Sequence, residues 1–171
     1  MKHLPATPLR VTPFFDLETY MLLSGQRRID AQSAQELETL WHEAFSHLNV
    51  YQLGEKKGYL VVYLDEQFEA KADAEWTDTP HSSYQRQTVG QAVIMAAVNE
   101  LLPDAGWAGC APVPEPNKIL KRSLEKIGLS FSNQGVLSAK YGILTPMPYA
   151  GGCESCFLEN SCPKRQMAKQ G

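Results

Sequence analysis

The sequence predicts an α+β or α/β domain in which a central sheet packs with helices and a cysteine-rich loop closes the C-terminus. Three observations predict it. Apolar residues spaced at three and four mark amphipathic helices, above all Leu37, Leu40, Trp41, Ala44, Phe45 and Leu48. Two β-prone runs, 50–53 and 59–64, flank the polar, glycine-bounded turn Gly54-Glu55-Lys56-Lys57-Gly58, the pattern of a hairpin. Finally, Cys153, Cys156 and Cys162 crowd into ten residues close to the end. A chain of 171 residues fits one compact domain over 1–171, with 150–171 as its cysteine-bearing loop and tail.

Taken in order, residues 16–23 read as a short helix that Asp16 caps and Gly25 ends. Ser33 and Glu36 then form a capping-box pattern, each side chain placed to satisfy the other's backbone donor, and open the amphipathic helix that follows. The second run of the hairpin, Tyr59-Leu60-Val61-Val62-Tyr63-Leu64, is apolar on both faces, as a central strand is. The charged stretch 65–76 fits either a further strand or a short helix. Within it Asp65, Glu69 and Lys71 mimic part of a nuclease motif and read as a solvated strand edge. The next helix starts at Ser82 or Ser83 and runs through Val89, Val93, Ile94, Ala97 and Val98 until Pro103 and Asp104 stop it. Its second half is apolar nearly all round, and Gly90, Ala92, Ala96 and Ala97 allow close packing. Residues 106–111 read as a short strand. Pro116 and Asn117 lead into a helix through Ile119, Leu120, Leu124 and Ile127, with Gly128 as its left-handed cap. A strand or loop over 129–137, a turn at Tyr141-Gly142 and a proline-rich approach over 145–148 complete the path to the cysteines.

Hydrophobic residues make up 43% and charged residues 20%, the composition of a globular domain and not of a disordered or fibrous chain. The formal charge of -3 gives no general attraction to phosphates or anionic lipid, so neither nucleic acid nor a membrane is indicated as a partner. Met1-Lys2-His3-Leu4-Pro5 leads into a proline-interrupted stretch without the apolar core of a secretory signal, and no run approaches the roughly 18 apolar residues of a membrane helix. A cytoplasmic location is the expectation. In such a setting the crowded cysteines read as reduced ligands and not as disulfides.

The motif is Cys153-x2-Cys156-x5-Cys162-Pro163. A two-residue gap lets two thiolates face one centre from a single turn, and Gly151-Gly152 frees the backbone to approach it closely. Lys164, Arg165 and Lys169 follow, and their charge offsets that of a thiolate-ligated centre. Three ligands need a fourth, and Cys110 is the only other cysteine. A four-thiolate set suits zinc or an iron-sulfur cluster. Structural zinc sites usually take two ligands from each of two short loops. Three from one loop and one from far upstream point instead to a [4Fe-4S] cluster, with zinc as the alternative. Three functions follow: a redox or electron-transfer protein or small oxidoreductase, acting on a partner protein or a small-molecule substrate; a cluster-based sensor of oxygen or redox state; and a metal clamp on the C-terminal loop.

Other candidate groups are weaker. His42 and His47 stand about 140° apart around one helix and do not converge on a metal. His81 has no partner in view. Trp41, Trp76 and Trp107 read as core, while Tyr141 and Tyr149 flank the cysteine loop, where they would shield it from water. No Gly-rich phosphate loop or Ser-His-Asp order stands out.

The cysteine spacing resembles the [4Fe-4S] ligation of FNR-type and WhiB-like regulators and of DNA glycosylases of the endonuclease III type. The glycosylases have a further cysteine seven residues before the triplet, where this chain has Pro146. A second resemblance covers the last third. Cys110-Ala111-Pro112-Val113, Ile127-Gly128-Leu129, Gly135-Val136-Leu137, Tyr141-Gly142, Leu144-Thr145-Pro146 and the triplet with Pro163 look like the landmarks of epoxyqueuosine reductases and reductive dehalogenases, in the same order. In those corrinoid enzymes the landmarks wrap the cofactor and lead into iron-sulfur motifs. Here Ser132 and Asn133 stand where they have a glycine, and a second cluster motif is lacking. The resemblance thus implies a reduced relative with one cluster; a corrinoid or a flavin stays open as a further cofactor, with no residue to support it.

Overall fold

In the computed structural model, which describes residues 2–108 and 110–170 apart from the side chains at 106–108 and 168–170, the expected hairpin is the middle of the sheet. Strands β1 (Ala6–Pro8), β2 (Leu48–Leu53), β3 (Gly58–Leu64) and β4 (Gly142–Met147) form one antiparallel sheet in the order β1-β2-β3-β4. The register pairs Val50 with Val62 and Leu60 with Thr145. Both outer strands carry a proline, Pro8 and Pro146, tolerated at an edge where a ladder donor is dispensable.

Because side chains alternate across a strand, β3 feeds two cores. Leu60, Val62 and Leu64 face the larger one, built with α1 (Leu17–Ser24), α2 (Ala31–Ser46), α3 (Glu66–Asp78), α4 (Pro80–Leu101) and α5 (Pro103–Ala108). Helix α4 runs through its middle, touching β3 and the other four helices. Gly90 makes that approach possible: a Cβ there would stand 2.8 Å from Phe68 Cζ and 2.9 Å from Leu64 Cδ1. On the opposite face Val61 meets Leu120 and Leu124 of α6 (Lys118–Glu125), with Leu129, Phe131 and Leu144. The architecture is α+β, with helices on one face and a smaller layer on the other. A last helix, α7 (Pro163–Gln170), follows the cysteine loop. Among the described residues no helix is long and apolar enough to cross a membrane.

The caps show why elements begin where they do. Asp16 accepts from the Thr19 N–H at 3.3 Å, Asn117 from Leu120 at 2.9 Å, and Gly25 and Gly128 take φ of 76° and 82° as left-handed stops. Helix α2 starts earlier than the Ser33 box predicts, since the Asp30 carboxylate accepts the Ser33 N–H at 2.7 Å and caps the helix. Asp65 likewise accepts from Phe68 at 3.1 Å and makes 66–78 a helix, so the charged run is a helix face and not a strand edge. Helix α4 begins at Pro80, whose missing donor is harmless at the first position. The same property lets Pro103 start α5 where a stop is expected, and helix replaces the expected strand as far as Ala108; Gly109 lies outside the described residues. The expected turn at Tyr141-Gly142 and the proline-rich approach are instead β4 and its entry, with the Leu64 N–H donating to the Tyr141 carbonyl at 3.0 Å. Over 129–137 a single bridge pairs Phe131 with Leu137.

Charge ties three helices together. The Arg86 guanidinium, 7% exposed, donates to both Glu75 oxygens at 3.1 and 3.0 Å and lies 2.9 Å from Glu43, which Lys71 also meets at 2.6 Å. Burial works against the charge on Glu43, but the hydrogen bonds from Lys71 and Arg86 outweigh it and hold the carboxyl below the ordinary glutamate value.

Candidate metal centre

The site is assembled from two separate segments. Cys110 follows α5 and is exposed. Beyond it the chain passes β4, where the buried Thr145 hydroxyl donates to the Pro112 carbonyl at 2.8 Å and pins the segment to the sheet. The cysteine loop docks on that pinned segment. The Phe157 N–H donates to the Val113 carbonyl at 2.8 Å, and the Val113 N–H donates to Cys156 Sγ at 3.3 Å.

Within the loop, Gly151 adopts φ of 102° and a single 3-10 turn spans Cys153–Ser155. The Cys156 N–H donates to the Cys153 carbonyl and the Glu159 N–H to the Cys156 carbonyl, both at 3.1 Å, so the chain folds back twice over a short stretch. Cys162 immediately precedes α7, and its carbonyl accepts the Gln166 N–H at 3.1 Å. A thiolate there stands at the positive end of a helix.

All four cysteines line one small cavity of about 30 Å³, together with Gly152, Glu159 and Arg165. They are free thiols, with Cys110 and Cys153 exposed and Cys156 and Cys162 half-buried. Although Cys110 reaches the surface, burial around its sulfur pushes the thiol up; the Lys164 charge opposes this, and Cys156, Cys153 and Cys162 add to the rise as negative neighbours. The other three cysteines are therefore close enough to act on the Cys110 sulfur. Arg165 reaches Glu159 at 3.5 Å, while its Nε is buried with no hydrogen-bond partner. Its guanidinium therefore brings to the cavity an unused donor, while its charge is met by the Glu159 carboxylate on the same wall.

A single tetrahedral zinc ion would draw its sulfurs to about 2.3 Å from one point. Among the described residues no group of three or more His, Cys, Asp or Glu side chains is gathered to hold one metal ion, although the four cysteines line a common cavity. In donor type, the set fits a thiolate-ligated cluster, with the Lys164 cation nearby to offset part of its charge.

The sequence singles out other residues that lie elsewhere. His42 is 3.8 Å from Glu38, and His47 Nδ1 is 3.0 Å from Asp65, each serving its own surface. Tyr141 packs edge-on against Phe68 at 5.5 Å in the larger core, so it does not shield the cysteine loop. Tyr149 lies beside Gly152, its hydroxyl 3.8 Å from where a Cβ would stand. Trp41 is core as expected, Trp76 is 58% exposed and is not, and the side chains of Trp107 and Lys169 lie outside the described residues. Sequence reasoning missed Glu159, Thr145 and the Val113 N–H. Only Glu159 left a signal, a carboxylate between two cysteines.

The chain matches no protein-family model, no curated protein and no solved structure. Fold and site together define an α+β domain carrying a four-cysteine site where its C-terminal loop meets the segment before α6.

Proposed function

We propose that Cys110, Cys153, Cys156 and Cys162 hold one [4Fe-4S] cluster and that the protein is a redox or electron-transfer protein, or a small oxidoreductase, of the cytoplasm. The observation that carries the proposal is the common cavity: two segments separated by α6 and β4 bring every cysteine of the chain onto its wall. Three ligands from one loop and one from a remote segment favour a cluster over structural zinc. The N–H of Val113 on Cys156 Sγ supports a thiolate and would tune the potential of a bound cluster, and Lys164 offsets part of its charge. The resemblance of the last third to the landmarks of epoxyqueuosine reductases and reductive dehalogenases accords with one cluster.

Exposure of Cys110 and Cys153 leaves a cluster open to a redox partner or substrate and equally to oxygen, which favours sensing of oxygen or redox state as the second reading. Anaerobic purification followed by iron, zinc and sulfide analysis with an absorption spectrum tests the proposal. About four irons and four sulfides per chain are expected. Colourless protein containing zinc would overturn it and leave a metal clamp. Each of Cys110→Ser, Cys153→Ser, Cys156→Ser and Cys162→Ser is expected to deplete iron; full iron in Cys110→Ser would assign the fourth position to another group. A reversible potential with the cluster intact separates electron transfer from sensing, in which air dismantles the cluster.

A further inference from the structure

A second cavity of about 540 Å³ shares Cys110 with the first. That volume lies within the range of roughly 300 to 1,000 Å³ typical of small-molecule sites. It opens between α4, the chain after α5, the 131–139 loop and β4, and its walls are mostly apolar, with Val98, Phe131, Leu137 and Ile143 among them. Among the described lining residues no side chain carries a fixed charge, and Asn99, exposed at the rim, supplies the one amide.

These walls restrict the ligand. A phosphate or carboxylate enclosed by these walls would shed its hydration without a cation to meet it, so the part of the ligand that the cavity encloses is uncharged. The amide of Asn99 suits one carbonyl or hydroxyl oxygen, and the rest of the molecule must be apolar. On the cluster reading, Cys110 makes one wall an outlet for single electrons. An uncharged ring with carbonyl oxygens that accepts electrons singly answers all three constraints.

We infer that this cavity binds a quinone, its ring among Val98, Phe131 and Leu137 and one carbonyl oxygen at the Asn99 amide. The choice of a quinone and the electron step rest on the cluster proposal; binding of an uncharged, mostly apolar ring in this cavity does not. On that proposal two reduced chains would each supply one electron from the centre that Cys110, Cys153, Cys156 and Cys162 would hold, each centre being oxidised by one electron. The quinone takes both electrons and two protons from water and leaves as the hydroquinone. An external one-electron donor then resets the clusters.

Duroquinone is the probe, because its four ring methyls block addition of thiols. Calorimetric titration of the anaerobically purified protein is expected to show one saturable site per chain. Ala139→Phe, which fills the cavity from the 131–139 loop, is expected to weaken binding at least tenfold, and Asn99→Leu, which removes one hydrogen bond, about fivefold. Protein pre-reduced with dithionite and desalted is expected to be reoxidised by duroquinone at least ten times faster than the Ala139→Phe variant. Absence of saturable binding to protein with full iron and sulfide would overturn the inference and leave the cluster proposal standing. Binding that both variants leave unchanged would also overturn it. Binding lost in both variants by protein without iron would support the ring site while removing the cluster, the choice of a quinone and the electron step.

Discussion

Replacing Thr145 with valine keeps the shape of the side chain and deletes one hydrogen bond, the one that holds the Cys110 segment on β4. The hydroxyl is fully buried and donates to the Pro112 carbonyl at 2.8 Å. Leaving that buried carbonyl without its donor costs about 2 kcal/mol. The methyl that replaces the hydroxyl returns about 0.5 kcal/mol through apolar burial, so the net loss is about 1.5 kcal/mol. With a urea dependence of about 2 kcal/mol/M, the unfolding midpoint falls by about 0.75 M. The melting temperature of a chain of this size falls by about 3 to 6 °C. The bond also acts on the site, because Val113, one residue on, carries both contacts to the cysteine loop. Faster release of metal to a chelator should therefore accompany the loss of stability. Urea unfolding of Thr145→Val beside Thr145→Ser, which keeps the hydroxyl, is the assay. A valine midpoint within about 0.2 M of the parent, or serine as damaging as valine, would refute the reasoning.

Gly90→Ala should destabilise by about 1 to 3 kcal/mol although alanine is the better helix former, since its Cβ would intrude on Phe68 and Leu64 in the core; a raised melting temperature would contradict the tight packing of α4. Arg86→Met should cost about 2 to 3 kcal/mol, below the roughly 3 to 5 of a fully buried broken pair, because Glu43 keeps Lys71 and both carboxylates retain some solvent. Urea unfolding measures it, and a loss below about 1 kcal/mol would mean that the network contributes little. The Glu43 carboxyl is held below its ordinary 4.5 when folded, so the folded state binds that proton less readily than the unfolded chain. Its contribution is complete above that value and is lost as pH falls through the lower folded one. Stability measured from pH 7 into the acid range should therefore drop more steeply below about pH 4.5 in the parent than in Glu43→Gln; parallel curves would contradict the assignment.

What the sequence made legible was local. The hairpin announces itself in two β-prone runs and a glycine-bounded turn, and α6 in Asn117 at one end and Gly128 at the other, because each signal acts within a few residues. Strands β1 and β4 were not legible. One is three residues long, the other contains Pro146, and each owes its form to distant partners, Ala6 to Leu53 and Leu144 to Val61. The same limit applies to the site. Four cysteines identify a donor set, but what brings Cys110 to the other three is the bond from Thr145 to Pro112 and the contacts of Val113 with Cys156 and Phe157, which no spacing encodes. Trp76 misled for a different reason: the buried stripe of α3 consists of Phe68 and Ala72 alone, leaving the indole outside it.

The smaller layer has one further consequence. All its buried residues except Leu53 and Val61 come from the chain between Cys110 and Cys153, a span of 43 residues (153 − 110) that includes α6 and β4. Any species that joins these two cysteines ties that span at both ends and removes loop freedom from its opened state. By the chain-entropy rule such a tie is worth about 4 kcal/mol. Sub-global opening of this layer would then become rarer, and the amides of Leu120 and Leu124 would gain protection from hydrogen exchange, while those of Val93 and Ala97 in the opposite layer would respond far less. Occupancy at the surface would thus be registered on the far side of the sheet from α4, through the cooperativity of one layer.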